Sequence, residues 1–86
     1  MIVTANRDHL VAELSGETVI LHVEQGRYYG LNKLGTRVWS LIQEPRTIDE
    51  LLQTILNEYE VEREQAERDL VALVKNLASK GLAKIA

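Results

Sequence analysis

The chain contains no cysteine and no phenylalanine, and only one proline, one tryptophan and three tyrosines in 86 residues. Without cysteine there are no disulfides, no thiolate metal sites and no cysteine nucleophile, which fits a reducing, cytoplasmic setting. With aromatics at 5% and apolar residues at 45%, aliphatic side chains must build the core of a folded domain. The opening MIVTANRDHL has neither the basic start nor the long apolar run of a signal peptide. No apolar run approaches the ~20 residues that span a bilayer, so no membrane partner is expected. The five glycines are scattered and match no phosphate-binding loop. With thirteen acidic residues against ten basic, the net charge of −3 suits an ordinary water-facing surface better than a nucleic-acid interface.

The length allows a single domain over residues 1–86, with a thin core. Leu10, Ala12 and Leu14 alternate with Val11 and Glu13, and Ser15-Gly16-Glu17 signals a turn. Thr18–Val23 is rich in β-branched residues, with Val19, Leu21 and Val23 on one face and Ile20 and His22 on the other. After Gln25-Gly26, Arg27–Leu31 reads as a third short strand, completing an antiparallel meander. The period then changes from two to 3.6. Leu34, Val38, Leu41 and Ile42 mark a first helix capped by Asn32, and Glu44-Pro45-Arg46 ends it. Thr47-Ile48-Asp49-Glu50 has the form of a capping box, opening a second helix to about Glu58. The third helix runs from about Glu62 to Lys80. Ala66, Leu70, Leu73 and Leu77 form its apolar stripe, Val71, Val74 and Ala78 widen it, and Gly81 lies just past its end. Leu82–Ile85 pack back as a tail. The expected fold is α+β and winged helix-turn-helix-like: a three-stranded antiparallel sheet followed by three helices.

No catalytic constellation can be assembled. His9 and His22 lie on separate segments without a carboxylate at ligand spacing and read as exposed strand or loop residues, so no metal or cofactor is expected. Ser15, Ser40 and Ser79 lack a nucleophile context. Glu58, Glu60, Glu62 and Glu64 read as a hydrated helix junction, with acidic charge favoured near a helix N-terminus. The reading is therefore a binding protein, not an enzyme.

Two binding readings remain. A winged helix suggests a DNA-binding regulator, and the charges oppose it. Between Glu58 and Lys80, Glu58, Glu60, Glu62, Glu64, Glu67 and Asp69 outnumber Arg63, Arg68, Lys75 and Lys80. The other reading is capture of an extended peptide on an edge strand, with main-chain bonds supplying affinity and side-chain pockets specificity. The stretch GRYYGLNKLGTRVW, residues 26–39, places two of the three tyrosines on such a strand. Tyr28 and Tyr29 point to opposite faces, and period-two logic alone does not say which face lines a groove.

The run from Tyr29 to Ile42, YGLNKLGTRVWSLI, resembles the "LN-x-x-G-x-x-(I/V)W-x-L(L/I)" signature of PqqD-like proteins. Arg46–Leu51 is similar to their second-helix start, and Asp69-Leu70, Leu77 and Lys80-Gly81-Leu82 to their closing segment. The resemblance covers roughly residues 10–85. It implies a recognition element of a ribosomally made, modified peptide pathway. In that family the precursor's leader peptide docks as an added strand on the third strand, in a groove walled by the third helix. The YYGLN junction resembles the discrete recognition proteins of lasso peptide clusters, which present the leader to a separate leader peptidase, more than the branch serving pyrroloquinoline quinone synthesis. The resemblance nominates Arg27, Tyr28, Tyr29 and Leu31 on the strand, and Arg68, Val71, Ala72, Val74, Lys75 and Ala78 on the helix, as peptide contacts. The plain alternative makes Leu31 and one tyrosine core, Arg27 hydrated, and the helix positions a wide core stripe. Trp39 reads as structural, packing the first helix onto the sheet. Partners would be the leader and a peptidase or other modifying enzyme. The exposed edge also allows a homodimer.

Overall fold

The computed structural model describes residues 1–7 and 9–86. Its elements run β1 (Ile2–Ala5), β2 (His9–Leu14), β3 (Glu17–His22), β4 (Arg27–Leu31), α1 (Lys33–Leu41), β5 (Arg46–Thr47), α2 (Ile48–Glu58), α3 (Arg63–Ser79) and β6 (Ala83–Ile85). The expected meander is β2-β3-β4. Leu14 and Glu17 close the first hairpin around Ser15 and Gly16, both at positive φ (54° and 80°), as a two-residue turn that follows the twist of the strands requires.

A second sheet, order β5-β1-β6, was not anticipated. β1 is its centre: Ile2 pairs with Thr47, and Val3, Thr4 and Ala5 pair with Ile85, Lys84 and Ala83. Further bonds join Ala5 N–H to the Ile42 carbonyl (2.8 Å) and Asn6 N–H to that of Leu82 (2.9 Å). The chain's first and last segments thus lie side by side, and the expected tail is a strand.

The helix ends follow from their residues. Asn32 accepts from Gly35 N–H at 2.9 Å. The capping box forms in both directions, Glu50 N–H to Thr47 Oγ1 at 3.1 Å and Thr47 N–H to Glu50 Oε1 at 3.0 Å. After Ser79, Gly81 (φ +73°) closes α3: its N–H bonds Ala78 O (3.0 Å) and Leu82 N–H bonds Leu77 O (2.9 Å). This is the two-bond Schellman stop, which needs a left-handed residue at that position.

The core is aliphatic, as the composition requires. Val3, Ile20, Val38, Ile42, Leu51, Leu70, Val74 and Leu82 are buried in one cluster with Leu31 and Trp39. On β3 the buried face is that of Thr18, Ile20 and His22, while Val23 is exposed. The expectation of exposed histidines is corrected here. His22 is buried and its Nδ1 accepts from Gln25 N–H (3.2 Å). His9 is half-buried and sits edge-on to both His22 (5.3 Å) and Trp39 (5.6 Å). His9 Nδ1 lies 2.8 Å from the Asn6 carbonyl, and Asn6 donates to Gly81 O at 2.8 Å. Two imidazoles do here what phenylalanine does in richer cores: they fill the space between sheet, α1 and the end of α3.

Trp39 is the largest side chain in this packing and is nearly fully buried. Trp39→Ala is expected to cost about 3–5 kcal/mol, read as a lowered urea midpoint with unchanged slope.

Candidate functional site

β4 is an edge strand. It pairs only with β3, from Thr18↔Leu31 to His22↔Arg27. Every second residue of β4 therefore turns its N–H and C=O toward the free side. The chain leaves this edge abruptly. Leu31 is buried, Asn32 caps α1, and a side chain at Gly35 would come within 3.2 Å of Leu31 Cβ. Thr36 locks the junction, its Oγ1 accepting from Thr18 N–H at 3.0 Å and donating to Leu31 O at 3.4 Å.

The two tyrosines separate by pleat. Tyr29 turns toward α3. Its hydroxyl donates to Gln25 Oε1 (2.8 Å), Gln25 Nε2 donates to Lys80 O (3.4 Å), and Lys80 Nζ sits 5.1 Å from the Tyr29 ring centre. Gln25, Arg27, Tyr29, Ser79 and Lys80 line a hollow of about 570 Å³ between the strand and the end of α3. Leu34 of α1, Ile55 of α2, Tyr59, Val61, and Gln65, Ala66 and Asp69 of α3 line a smaller apolar recess of about 120 Å³, to which no β4 residue contributes. Helix geometry puts Ala72 and Asn76 on the α3 stripe that joins Asp69 to Ser79. The hollow beside β4 is thus polar, and the apolar recess opens past the strand's last residue, at Leu34.

Tyr28 instead stands on the outer face of the sheet, 72% exposed. The register aligns Leu10, Leu21 and Tyr28 in one row, and Ala12, Val19 and Gly30 in the next. All of these but Gly30, with Val11, line a shallow hollow of about 220 Å³. Leu10 is 63% exposed and Leu14 64%, so the face is an uncovered apolar patch. The sequence shows the alternation of β2 but not that both of its faces lie mostly in solvent.

The predicted contacts on α3 fall in three places. Arg68, Val71, Ala72 and Lys75 line a broad, open hollow of about 640 Å³ with Glu64 and Glu67, and no β4 residue contributes to it. Val74 is fully buried and belongs with Leu70 and Leu77. Ala78 is half-buried, roughly 100° round the helix from Ser79. Leu31, too, is placed in the core. Of the widened stripe Val74 is core whereas Val71 is not, and the end of α3 next to β4 carries residues that hydrophobic periodicity passes over: Ser79 and the following Lys80. Gln25 was missed as well, since nothing in its sequence context marks a side chain that ties a turn to a helix end.

Arg37 of α1 binds Glu58 at the end of α2, with Nε–Oε1 at 2.8 Å and Nη2–Oε2 at 2.6 Å. The pair fixes the helices beside the apolar recess. Hydrogen bonds from Arg37 hold the Glu58 carboxyl below its ordinary value of 4.5. The Thr47 backbone N–H does the same for Glu50. Among the described residues no three His, Asp or Glu side chains are grouped to hold a metal ion, and no helix is long and apolar enough to cross a membrane.

The family model for coenzyme PQQ synthesis protein D (PqqD) matches residues 17–83. Two solved structures align over nearly the whole chain. One is TbiB1 in complex with the TbiA(beta) leader peptide, 35% identical, TM-score 0.87, covering 96% of both chains. The other is a lasso peptide synthetase B1 complexed with the leader peptide, 30% identical, TM-score 0.84, covering 96% of this chain and 98% of that one. No curated protein matches.

Glu58 has a lowered folded-state pKa, so its contribution to stability is complete above its ordinary value and fades as pH falls through the lowered one. Glu58→Gln should therefore be less stable than wild type at neutral pH, with a gap that narrows as pH falls below the ordinary carboxyl value of 4.5. Urea unfolding across pH 3–7 reads it; a gap independent of pH would refute the ionic account.

Proposed function

The chain belongs to the PqqD family, and from that premise we propose that it binds the leader segment of a ribosomally made precursor peptide by strand addition at β4. It has no chemistry of its own in this reading and presents the attached peptide to a separate processing enzyme in the cytoplasm. The observation that carries the proposal is the free edge of β4 beside α3, in a fold whose 35%-identical and 30%-identical counterparts are complexes with leader peptides. Those counterparts favour the lasso branch, with a leader peptidase as the partner, over a role in pyrroloquinoline quinone synthesis.

Strand addition satisfies the unpaired groups of β4, and alternate leader side chains enter the groove against α3. Tyr29 forms the groove floor. Tyr28 flanks the added strand from the outer face. Ordering a flexible leader costs several kcal/mol, so a Kd of roughly 10 nM to 10 µM is expected. Fluorescence anisotropy with the labelled leader of a short precursor peptide sought in the same gene cluster tests this. Tyr28→Ala/Tyr29→Ala should abolish binding while circular dichroism stays unchanged. N-methylation of alternate leader amides should do the same, and methylation of the intervening amides should not. Absence of wild-type binding up to ~100 µM would overturn the reading.

The apolar face of Leu10, Leu21 and Tyr28 borders the same edge, and we assign it to the partner enzyme. An enzyme seated there lies beside the added strand. Leu10→Asp/Leu21→Asp should then leave leader affinity within about twofold, since neither residue touches the groove, and suppress leader removal by the purified peptidase at least tenfold, the scale of one lost hot-spot contact. Unimpaired cleavage would exclude this face.

A further inference from the structure

The hollow beside β4 differs in charge from the broad hollow on α3, where Glu64 and Glu67 accompany Arg68 and Lys75. The protein is acidic, net −3, and its two ion pairs among the described residues, Arg37–Glu58 and Arg46–Glu44, lie elsewhere. Arg27 and Lys80 share the hollow with Tyr29, Gln25 and Ser79, with no carboxylate among its lining residues. Lys80 is held in place. Its Nζ rests on the Tyr29 ring, its carbonyl receives Gln25 Nε2, and Gln25 Oε1 receives the Tyr29 hydroxyl. A cation fixed over an aromatic ring beside a second cation is a preformed seat for an anion. A separate recess past the other end of the strand has the reverse character: Leu34, Ile55, Tyr59, Val61 and Ala66 line it with Gln65 and Asp69.

We propose that Arg27 and Lys80 determine leader specificity by binding one leader carboxylate, an Asp or Glu side chain, while an apolar leader side chain fills the recess by Leu34. The proposal rests on the leader-binding reading and adds a register to it. Arg27, Tyr29 and Leu31 share one pleat face, so the leader residues that face α3 alternate with those that do not. The acidic residue and the apolar anchor must therefore be an even number of positions apart. Arg27 to Leu31 spans about 13 Å of strand, so at least four positions separate them. The bland account of the same cations is a Lys stabilised at a helix C-terminus and an exposed, hydrated Arg. That account predicts no dependence on leader charge.

The test uses fluorescein-labelled synthetic peptides that tile the leader of a short precursor sought in the same gene cluster, in anisotropy titrations with the intact protein. In the tile that binds, the acidic residue is changed to its amide and then to Lys. The amide should weaken binding about two- to fivefold, in the range of an exposed charge pair, and the loss should shrink in high salt. Arg27→Glu/Lys80→Glu should lose affinity for the native tile and prefer the Lys tile. Arg27→Gln/Lys80→Gln, a gentler change at the end of α3, should make the protein indifferent to the substitution. Equal affinity of wild type for the acidic, amide and Lys tiles overturns the carboxylate seat and leaves leader binding standing. Failure of wild type to bind any tile overturns both. An acidic residue at odd spacing from the apolar anchor refutes the register.

Discussion

The passage from β4 into α1 is the constraint on which the rest depends. Leu31 ends the strand inside the core, and Asn32 turns the chain at once into a helix capped by its own side chain. Gly35 permits the approach, since a Cβ there would crowd both Leu31 and Asn32. Because the chain departs downward into α1, nothing continues along the free side of β4. Thr36 then ties the departure point back to β3 through Thr18 N–H. An unpaired strand edge invites aggregation unless it is short or partly covered. Here it is five residues long and bounded at both ends, by Lys80 and Gln25 at one and by Leu34 at the other.

What could be read from the sequence was whatever depended on local chemistry. The cap at Asn32, the box at Thr47–Glu50, the stop at Gly81 and the Ser15-Gly16 hairpin each need particular residues within four positions of one another, and each forms. The second sheet was not legible. β1 is four residues, β5 two and β6 three, too short for periodicity to register, and their pairing joins the two ends of the chain. Only the folded core makes that pairing favourable, by burying Val3, Ala83 and Leu82 together.

The candidate site was half legible for a similar reason. Alternation along β4 separated Tyr28 from Tyr29 but could not say which faced α3. The answer came from Gln25 and Lys80, distant in sequence and joined by one hydroxyl and one carbonyl. The histidines were misread because their partners are also non-local: His9 packs between His22 and Trp39. On α3, widening the apolar stripe gathered Val74 as a contact, whereas a helix crossing a thin domain needs that width simply to close the core.

A domain of 86 residues has little interior to lend to function. The arrangement here keeps binding and stability apart. The β4 edge, the outer apolar face and the hollow lined by Arg27 and Lys80 all use exposed or half-exposed side chains around a core that ends at Leu31, Leu70 and Val74. Strand addition needs no rearrangement of that core, because the groups it satisfies already point outward. The ordering cost then falls on the peptide alone, and selectivity has to come from side chains along the groove. With few aromatics to supply shape, charge is the remaining means of discrimination. If a peptide strand adds at β4 as proposed, a hollow lined by Arg27 and Lys80 and by no carboxylate would give this acidic protein a means to choose both the register and the direction of what binds there.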